Sequence, residues 1–356
     1  MNDVIIKTLN SDTEHDYEQF LQSIETSLIY YSHKYQEFIQ KISPDSQSLC
    51  LLAYENDVLK GALPVSVKKG VHGTVVNSSP FYGSHGWGAF AEDASSEVKV
   101  ALLSQYQSLC IEAQAKVSTL ISSPFSDDKA LIEGQFEAKP MDERVGQITY
   151  LPESTSSRDE LMALFHQKTR NMARKGAKSG FDIEMNNELE AWDVLYDIHV
   201  ENMQAIGGQA KSRAVFSALA DTFEAGTEYQ IYLAKKDGQV AAALLLLFYN
   251  NTVEYFTPVV KSEFRGDQPL SLLIFESMYA ALQKGFKYWN WGGTWLSQEG
   301  VYRFKSRWGA TDLPYHYFVL EHSQFGSMRA LTPEQLLSSY PYFYTLPFSL
   351  LEVNNA

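Results

Sequence analysis

Two cysteines in 356 residues, Cys50 and Cys110, are too few for a disulfide framework or a cysteine-rich zinc site. Cys50 falls in the apolar run Leu49-Cys50-Leu51-Leu52 and Cys110 in a helical pattern, so both read as small core residues. The eight histidines are scattered without metal-ligand spacing, and no carboxylate-rich loop reads as a calcium site, so no metal is expected. Gly-x-Gly-x-x-Gly, the P-loop and the Gly-x-Ser-x-Gly elbow are all missing, which excludes the commonest dinucleotide, nucleotide and serine-hydrolase signatures. Cations are the minority charge, 29 against 43 carboxylates, and a net charge of −14 argues against a protein that coats DNA. No apolar run suits a transmembrane segment: the uncharged window 335–351 is broken by Pro341 and Pro347. Met1-Asn2-Asp3-Val4-Ile5-Ile6-Lys7 lacks the pattern of a signal peptide, and a cytoplasmic setting is the expectation.

What is present is a globular composition, 45% apolar and 20% charged, with length for about two domains. The chain also repeats itself. Leu52-Ala53-Tyr54-Glu55-Asn56-Asp57 reads as a strand ending in a turn, and Leu233-Ala234-Lys235-Lys236-Asp237-Gly238 reads the same way at an offset of 181. The register holds onward, with Leu59 on Val240, Ala62 on Ala243, Leu63 on Leu244 and Val65 on Leu246. In the second half, Tyr229–Lys235, Val240–Tyr249 and Thr252–Val260 form a meander of β-rich runs between turn residues. A helix is expected from Pro269 to a C′ glycine at Gly285, then a strand Phe286–Trp291 closed by Gly292-Gly293.

The first half repeats this order: strands near Leu49–Tyr54, Val58–Val67 and Thr74–Asn77, a helix near Glu97–Lys116 and a strand Val117–Ser122. Each half opens with helical segments, Tyr17–Ile42 in one and Glu188–Ala205 with Ala214–Glu224 in the other. Two tandem α/β (α+β) domains follow, each a mixed, mostly antiparallel sheet flanked by helices. The expected domains are 1–150 and 151–356, the second with an aromatic-rich tail, joined through Glu143–Ser157.

Two basic clusters stand out. Residues 167–178 carry five cations, and Arg170, Arg174 and Lys178 repeat every four residues, so a helix there presents a cationic ridge. It suits a phosphate-bearing substrate; the plainer alternative is a solvated helix face. Residues 300–309 place Val301, Phe304 and Trp308 on one helical stripe, with Lys305 beside it and Arg303 pointing further away. Lys305 is either a cation held stiffly in a site or a lysine snorkelling over core aromatics. Between the clusters, Tyr288-Trp289-Asn290-Trp291-Gly292-Gly293 ends in two glycines that allow a ligand or another backbone to approach closely.

The Arg-Asn-x-x-Arg-Lys-x-x-Lys-x-Gly helix from Arg170 to Gly180, the Gly292-Gly293 strand and Phe304-Lys-x-x-Trp-Gly309, in that order, resemble the Fem-type branch of the GNAT acyltransferases. Gly61-Ala62-Leu63-Pro64-Val65 and Ser79-Pro80-Phe81-Tyr82-Gly83 are similar to that family's N-terminal domain, and the likeness covers roughly residues 45–320. The resemblance implies two GNAT-like domains and transfer of an acyl or aminoacyl group to an amine of a sugar, nucleotide-sugar or peptide precursor, in envelope or polysaccharide biosynthesis. Acyl-CoA, aminoacyl-tRNA or an acyl-carrier protein would be the donor, with no tightly bound cofactor. Lys305 matches the motif lysine that contacts the donor or stabilises an oxyanion, and Asn290 stands where the family often has Asp. Candidate substrate-binding residues are Arg170, Arg174, Lys175, Arg303, Tyr302, Trp291, Gly292, Gly293 and Tyr82.

Two departures are visible. The coiled-coil arm of some peptidoglycan-bridge enzymes is missing, and Arg265-Gly266-Asp267-Gln268-Pro269-Leu270 replaces the glycine-rich pyrophosphate loop, with a proline that removes an amide donor. A catalytically silent binder of an anionic glycan or nucleotide is the alternative function.

Overall fold

The computed structural model describes residues 4–79 and 86–352. In chain order the elements are β1 (Val4–Thr8), α1 (Glu14–Ser23), α2 (His33–Ile42), β2 (Ser46–Glu55), β3 (Val58–Gly70), β4 (Gly73–Asn77), β5 (Ala89–Phe90), α3 (Ser96–Glu112), β6 (Ala115–Ile121), α4 (Lys129–Phe136) and β7 (Asp142–Tyr150). There follow α5 (Arg158–Ala163), α6 (Gln167–Lys178), β8 (Asp182–Met185), α7 (Leu189–Ala205), α8 (Arg213–Thr222), β9 (Tyr229–Lys236), β10 (Gln239–Tyr249) and β11 (Thr252–Val260). The last elements are α9 (Pro269–Gln283), β12 (Tyr288–Trp295), α10 (Glu299–Ser306), β13 (Thr311–Glu321) and α11 (Pro333–Ser339). No helix among the described residues is long and apolar enough to cross a membrane.

The chain divides into two compact units, Met1–Arg144 with Pro314–Ala356, and Val145–Leu313. The expected division at 150/151 assigned everything beyond it to the second domain, whereas contacts group the aromatic C-terminal segment with the first unit. Within the expected connection Glu143–Ser157, where Ile148-Thr149-Tyr150-Leu151 reads as a strand belonging to one of the sheets, β7 runs from Asp142 to Tyr150, so the strand starts earlier than the sequence suggests.

Unit 1 orders its strands β1-β2-β3-β4-β6-β13, with β5 on β3. One face packs Leu63, Val65 and Leu120 against Leu102, Leu103 and Tyr106 of α3. The other face places Val75, Val117 and Ile121 under the C-terminal segment, through Leu336, Tyr340 and Leu346. Asn77 ties that segment down: Nδ2 donates to the Tyr344 carbonyl at 2.9 Å and Oδ1 accepts the Tyr344 amide at 2.7 Å.

Unit 2 orders its strands β8-β9-β10-β11-β12-β7 and packs α9 on a core of Leu244, Leu246, Val253, Trp289 and Trp291. Its β9–β10 hairpin turns at Asp237-Gly238, both with positive φ (50° and 77°), the pattern that matches strand twist in two-residue loops. The β2–β3 hairpin turns at Asn56-Asp57, φ 50° and 64°. Both hairpins carry one extra residue at the repeat-related position: Lys60 is skipped between Ala53↔Gly61 and Tyr54↔Leu59, and Ala241 between Ala234↔Ala242 and Lys235↔Val240. Shared turn and shared bulge make the internal duplication a structural fact. The edge strands β1 and β8 were not anticipated; they are short, and only part of their residues face inward.

α9 begins at Pro269 as expected and ends at Gly285 in the C′ position, φ 87°. Its first turn is crossed closely by α6, where a Cβ on Gly176 would lie 2.6 Å from the Gln268 carbonyl oxygen. Gly176→Ala is therefore expected to destabilise by about 1–3 kcal/mol, while Gly134→Ala, in α4 with open space around it, gains up to ~1 kcal/mol from propensity. Chemical denaturation of the two variants checks both signs.

Candidate active site

Strands β11 and β12 run parallel but pair only through Thr252↔Tyr288, Val253↔Trp289 and Glu254↔Asn290, after which they part. Each strand supplies a reason. In β11 the register shifts, since Leu246 faces Tyr255 and Leu245 faces Thr257, leaving Phe256 bulged out of the ladder. In β12, Gly292 takes φ 70°, a left-handed conformation suited to glycine. The glycine pair does not close the strand, as expected from sequence, but bends it from within, and β12 continues to Trp295.

On the α9 side the parting is packed with rings. Tyr255 and Trp291 have centroids 4.8 Å apart, and Trp308 lies 5.8 Å and Phe304 6.1 Å from Trp291. The Trp291 indole N–H is anchored on Thr149 Oγ1 at 2.9 Å. Side chains alternate along strands, so Glu254 and Asn290 face the other way. They are 2% and 0% exposed. Asn290 Nδ2 donates to Glu254 Oε1 at 3.1 Å, and its Oδ1 accepts the Gly292 amide at 2.9 Å. The carboxylate that the sequence lacks before the glycine pair is thus present on the neighbouring strand.

Lys305, on α10, is 7% exposed. Its Nζ donates to Thr294 Oγ1 at 2.8 Å, to the Gly293 carbonyl at 3.1 Å and to the Gly292 carbonyl at 3.4 Å. All three acceptors are neutral, and the last contact is long enough to be weak. Thr294 can accept because its own hydroxyl donates to Gln147 Oε1 at 3.2 Å. Gln147 in turn donates to the Tyr302 carbonyl and to Asp312 Oδ1, both at 3.3 Å. Burial pushes the Lys305 ammonium down to about 8, and no carboxylate among the described residues pairs with it.

The apolar stripe expected on this helix is turned. Val301 is 43% exposed while Lys305 points inward beside Trp308. Arg303 is on the solvent face, 3.7 Å from Glu299, and Tyr302 donates to Asp312 Oδ2 at 2.6 Å. The structure thus groups Lys305 with Gly292, Gly293, Trp291 and Asn290, and not with Arg303. In α6, Arg170 Nη1 donates to the Phe165 carbonyl at 2.7 Å, which gives it a local structural role. Arg174 and Lys175 are exposed and have no ion-pair partner among the described residues. The start of α6 is joined to the end of α10 by the His166 amide donating to the Arg307 carbonyl at 2.9 Å. Tyr82 lies outside the described residues.

Ahead of α9, Ser262–Asp267 forms a 3-10 turn, Gln268 is left-handed and Pro269 is the first helical residue. The glycine-rich cradle is absent here, and Gly176 of α6 lies against the Gln268 carbonyl. Sequence reasoning missed Glu254, Thr294, Gln147 and Thr149. Glu254 had a signal: it is the one charge in the apolar run Thr252–Val260, where an unpaired carboxylate would not be tolerated.

Residues 164–306 match the family model described as an acetyltransferase (GNAT) domain, and they lie inside unit 2. The parted parallel strands fall inside the matched segment, so residues 164–306 form an acetyltransferase (GNAT) domain. Over most of its length the fold is similar to those of FemX and of a tandem GNAT protein. The structure described as FemX is similar at a TM-score of 0.71 and 14% identity, over 90% of this chain and 98% of that one. A tandem GNAT protein from the clavulanic acid biosynthesis pathway is similar at a TM-score of 0.55 and 12% identity, over 90% and 98% of the two chains. L-PGS from Bacillus licheniformis is similar at a TM-score of 0.53 and 11% identity, over 94% and 96%. No curated protein matches the sequence.

The Lys305 environment has a measurable consequence. A lysine at about 8 when folded and near 10.5 when unfolded leaves the unfolded state with more bound protons between those values, so its contribution to stability rises with pH across that window. Lys211, also pushed to about 8 by burial, acts in the same direction. The difference between wild type and Lys305→Met isolates Lys305: the wild type should gain on the variant from pH 8 to 10, read as thermal midpoints. A constant difference would place the Lys305 ammonium in water-like surroundings.

Proposed function

We propose that the protein transfers an acyl or aminoacyl group directly to an amine, with Lys305 as the cation that stabilises the oxyanion. The observation behind this reading is a buried ammonium with no carboxylate partner among the described residues, held by neutral acceptors where β11 and β12 part. Its weakest contact, to Gly292, leaves one N–H ready for a better acceptor. The amine lone pair attacks the carbonyl carbon and the C–N bond forms. The C=O electrons move to oxygen beside Lys305; on collapse they re-form C=O and the carrier's sulfur or oxygen departs with the electron pair of the broken bond. Glu254 takes the proton that the amine loses, and the net reaction returns one proton to the departing carrier as free thiol or hydroxyl. Asn290, with both ends of its amide engaged, is a positioning residue that orients Glu254 and Gly292.

Both thiols are buried, and burial pushes each up to about 12, which speaks against an acyl-cysteine intermediate. Acyl-CoA is the donor most in keeping with an acetyltransferase (GNAT) domain. The altered turn before α9 keeps aminoacyl-tRNA and an acyl-carrier protein as donors to be assayed beside it. The acceptor is an amine of a sugar, nucleotide-sugar or peptide precursor used in envelope or polysaccharide synthesis, and exposed Arg174 and Lys175 suit its phosphates.

Lys305→Met retains the apolar stem and removes charge stabilisation that develops in the transition state. It is expected to lower kcat by roughly a hundredfold, about 3 kcal/mol, with a small change in KM. Steady-state kinetics on the purified chain, with each donor class in turn, measures this; unchanged turnover would remove Lys305 from the mechanism. Intact-mass spectra during turnover should show no acyl adduct on the protein.

A further inference from the structure

A cavity of about 420 Å³ lies within unit 1, remote in sequence from the GNAT-matched residues. That volume is in the range of small-molecule sites. Asp128 is its buried carboxylate, 7% exposed. Oδ1 accepts from Lys99 Nζ at 2.7 Å, Oδ2 accepts from the Trp87 indole N–H at 2.7 Å, and the Ser126 hydroxyl also donates to it. Burial alone would raise the Asp128 pKa; the bonds from Lys99, Ser126 and Trp87 outweigh it and hold the carboxyl ionised. Lys99 is thereby spent on Asp128.

Glu92 and Asp127 also line the cavity, are exposed, and have no ion-pair partner among the described residues. The lining therefore keeps uncompensated negative charge in a concave space, where the field is focused. Ser123, 5% exposed, accepts the Phe125 amide at 3.1 Å, while its own O–H has no acceptor among the described residues. Phe90 and Phe125, both half-buried, are the aromatic residues of the lining with accessible surface, whereas Tyr31 is 2% exposed. No group of three or more metal-ligating side chains occurs among the described residues, so the charge is not arranged for a metal ion.

We infer that this cavity binds a hydroxylated organic ammonium ion of the amino-sugar class. The ammonium is matched by Glu92 and Asp127, a pyranose face by the rings, and its hydroxyls by Ser123 and the carboxylates. The inference stands apart from acyl transfer, because binding is measured with no donor present.

The test is calorimetric titration of the full chain with glucosamine at pH 7 and low salt, with glucose and N-acetylglucosamine as uncharged counterparts. Glucosamine should bind saturably, about tenfold or more tighter than either, and weaken as salt is raised. The double variant Glu92→Gln/Asp127→Asn, at exposed positions, should keep its thermal midpoint and lose that preference. Absence of glucosamine binding at millimolar concentration, equal affinity for glucose, or a preference that survives in the double variant would each overturn the assignment.

Discussion

The parting of β11 and β12 after the Glu254↔Asn290 pair is the constraint on which the site depends. Parallel strands that separate leave main-chain groups without ladder partners, and these must be satisfied otherwise. In unit 2 the work falls to side chains. Asn290 Oδ1 takes the Gly292 amide, and Lys305 takes the Gly292 and Gly293 carbonyls. The same features that create an opening thus recruit a buried cation and a buried carboxylate to its edges. An apolar filling would satisfy neither carbonyl, which accounts for a lysine in a region otherwise packed with Trp291, Trp308 and Phe304.

Much of this was legible in the sequence because the signal was local. The Asp237-Gly238 and Asn56-Asp57 turns, the apolar runs between them and Pro269 with Gly285 at the ends of α9 are short-range features, and the repeat offset placed one hairpin on the other. Lys305 and the glycine pair stand out by motif order. What stayed hidden depended on distance along the chain. Glu254 meets Asn290 across strands, and Gln147 reaches Thr294 from a strand that sequence adjacency gives to the other half of the protein. Helical periodicity also misjudged α10: it placed Val301 inside and Lys305 at the margin, because it cannot register that hydrogen-bond acceptors wait on the inner side. Arg170 reads as a free cation in a basic ridge until Phe165 is seen to end in a carbonyl facing it.

The basic ridge on α6 therefore divides into parts with different origins. Thr169, Ala173 and Gly176 are its packed side, and Gly176 is small because α9 passes so near. Arg174 and Lys175 are left outward by the same helix period. A segment that looks like one cationic motif is a packing surface, a local brace and a solvent-facing charge pair laid over one another.

The composition of the units bears on how the chain emerges during synthesis. Unit 2, Val145–Leu313, is contiguous, whereas unit 1 needs residues from both ends of the chain. Domains ordinarily fold from the N-terminus as they are made. Here the first 144 residues leave the ribosome with β6 lacking its neighbour β13 and with Val75, Val117 and Ile121 uncovered by the C-terminal segment. At 5–20 residues per second that state lasts roughly 10–40 s. The second unit is complete before the first, and a chain stalled near its end would hold a finished GNAT domain beside an open β-sheet edge, the kind of surface that chaperones hold and that aggregates recruit.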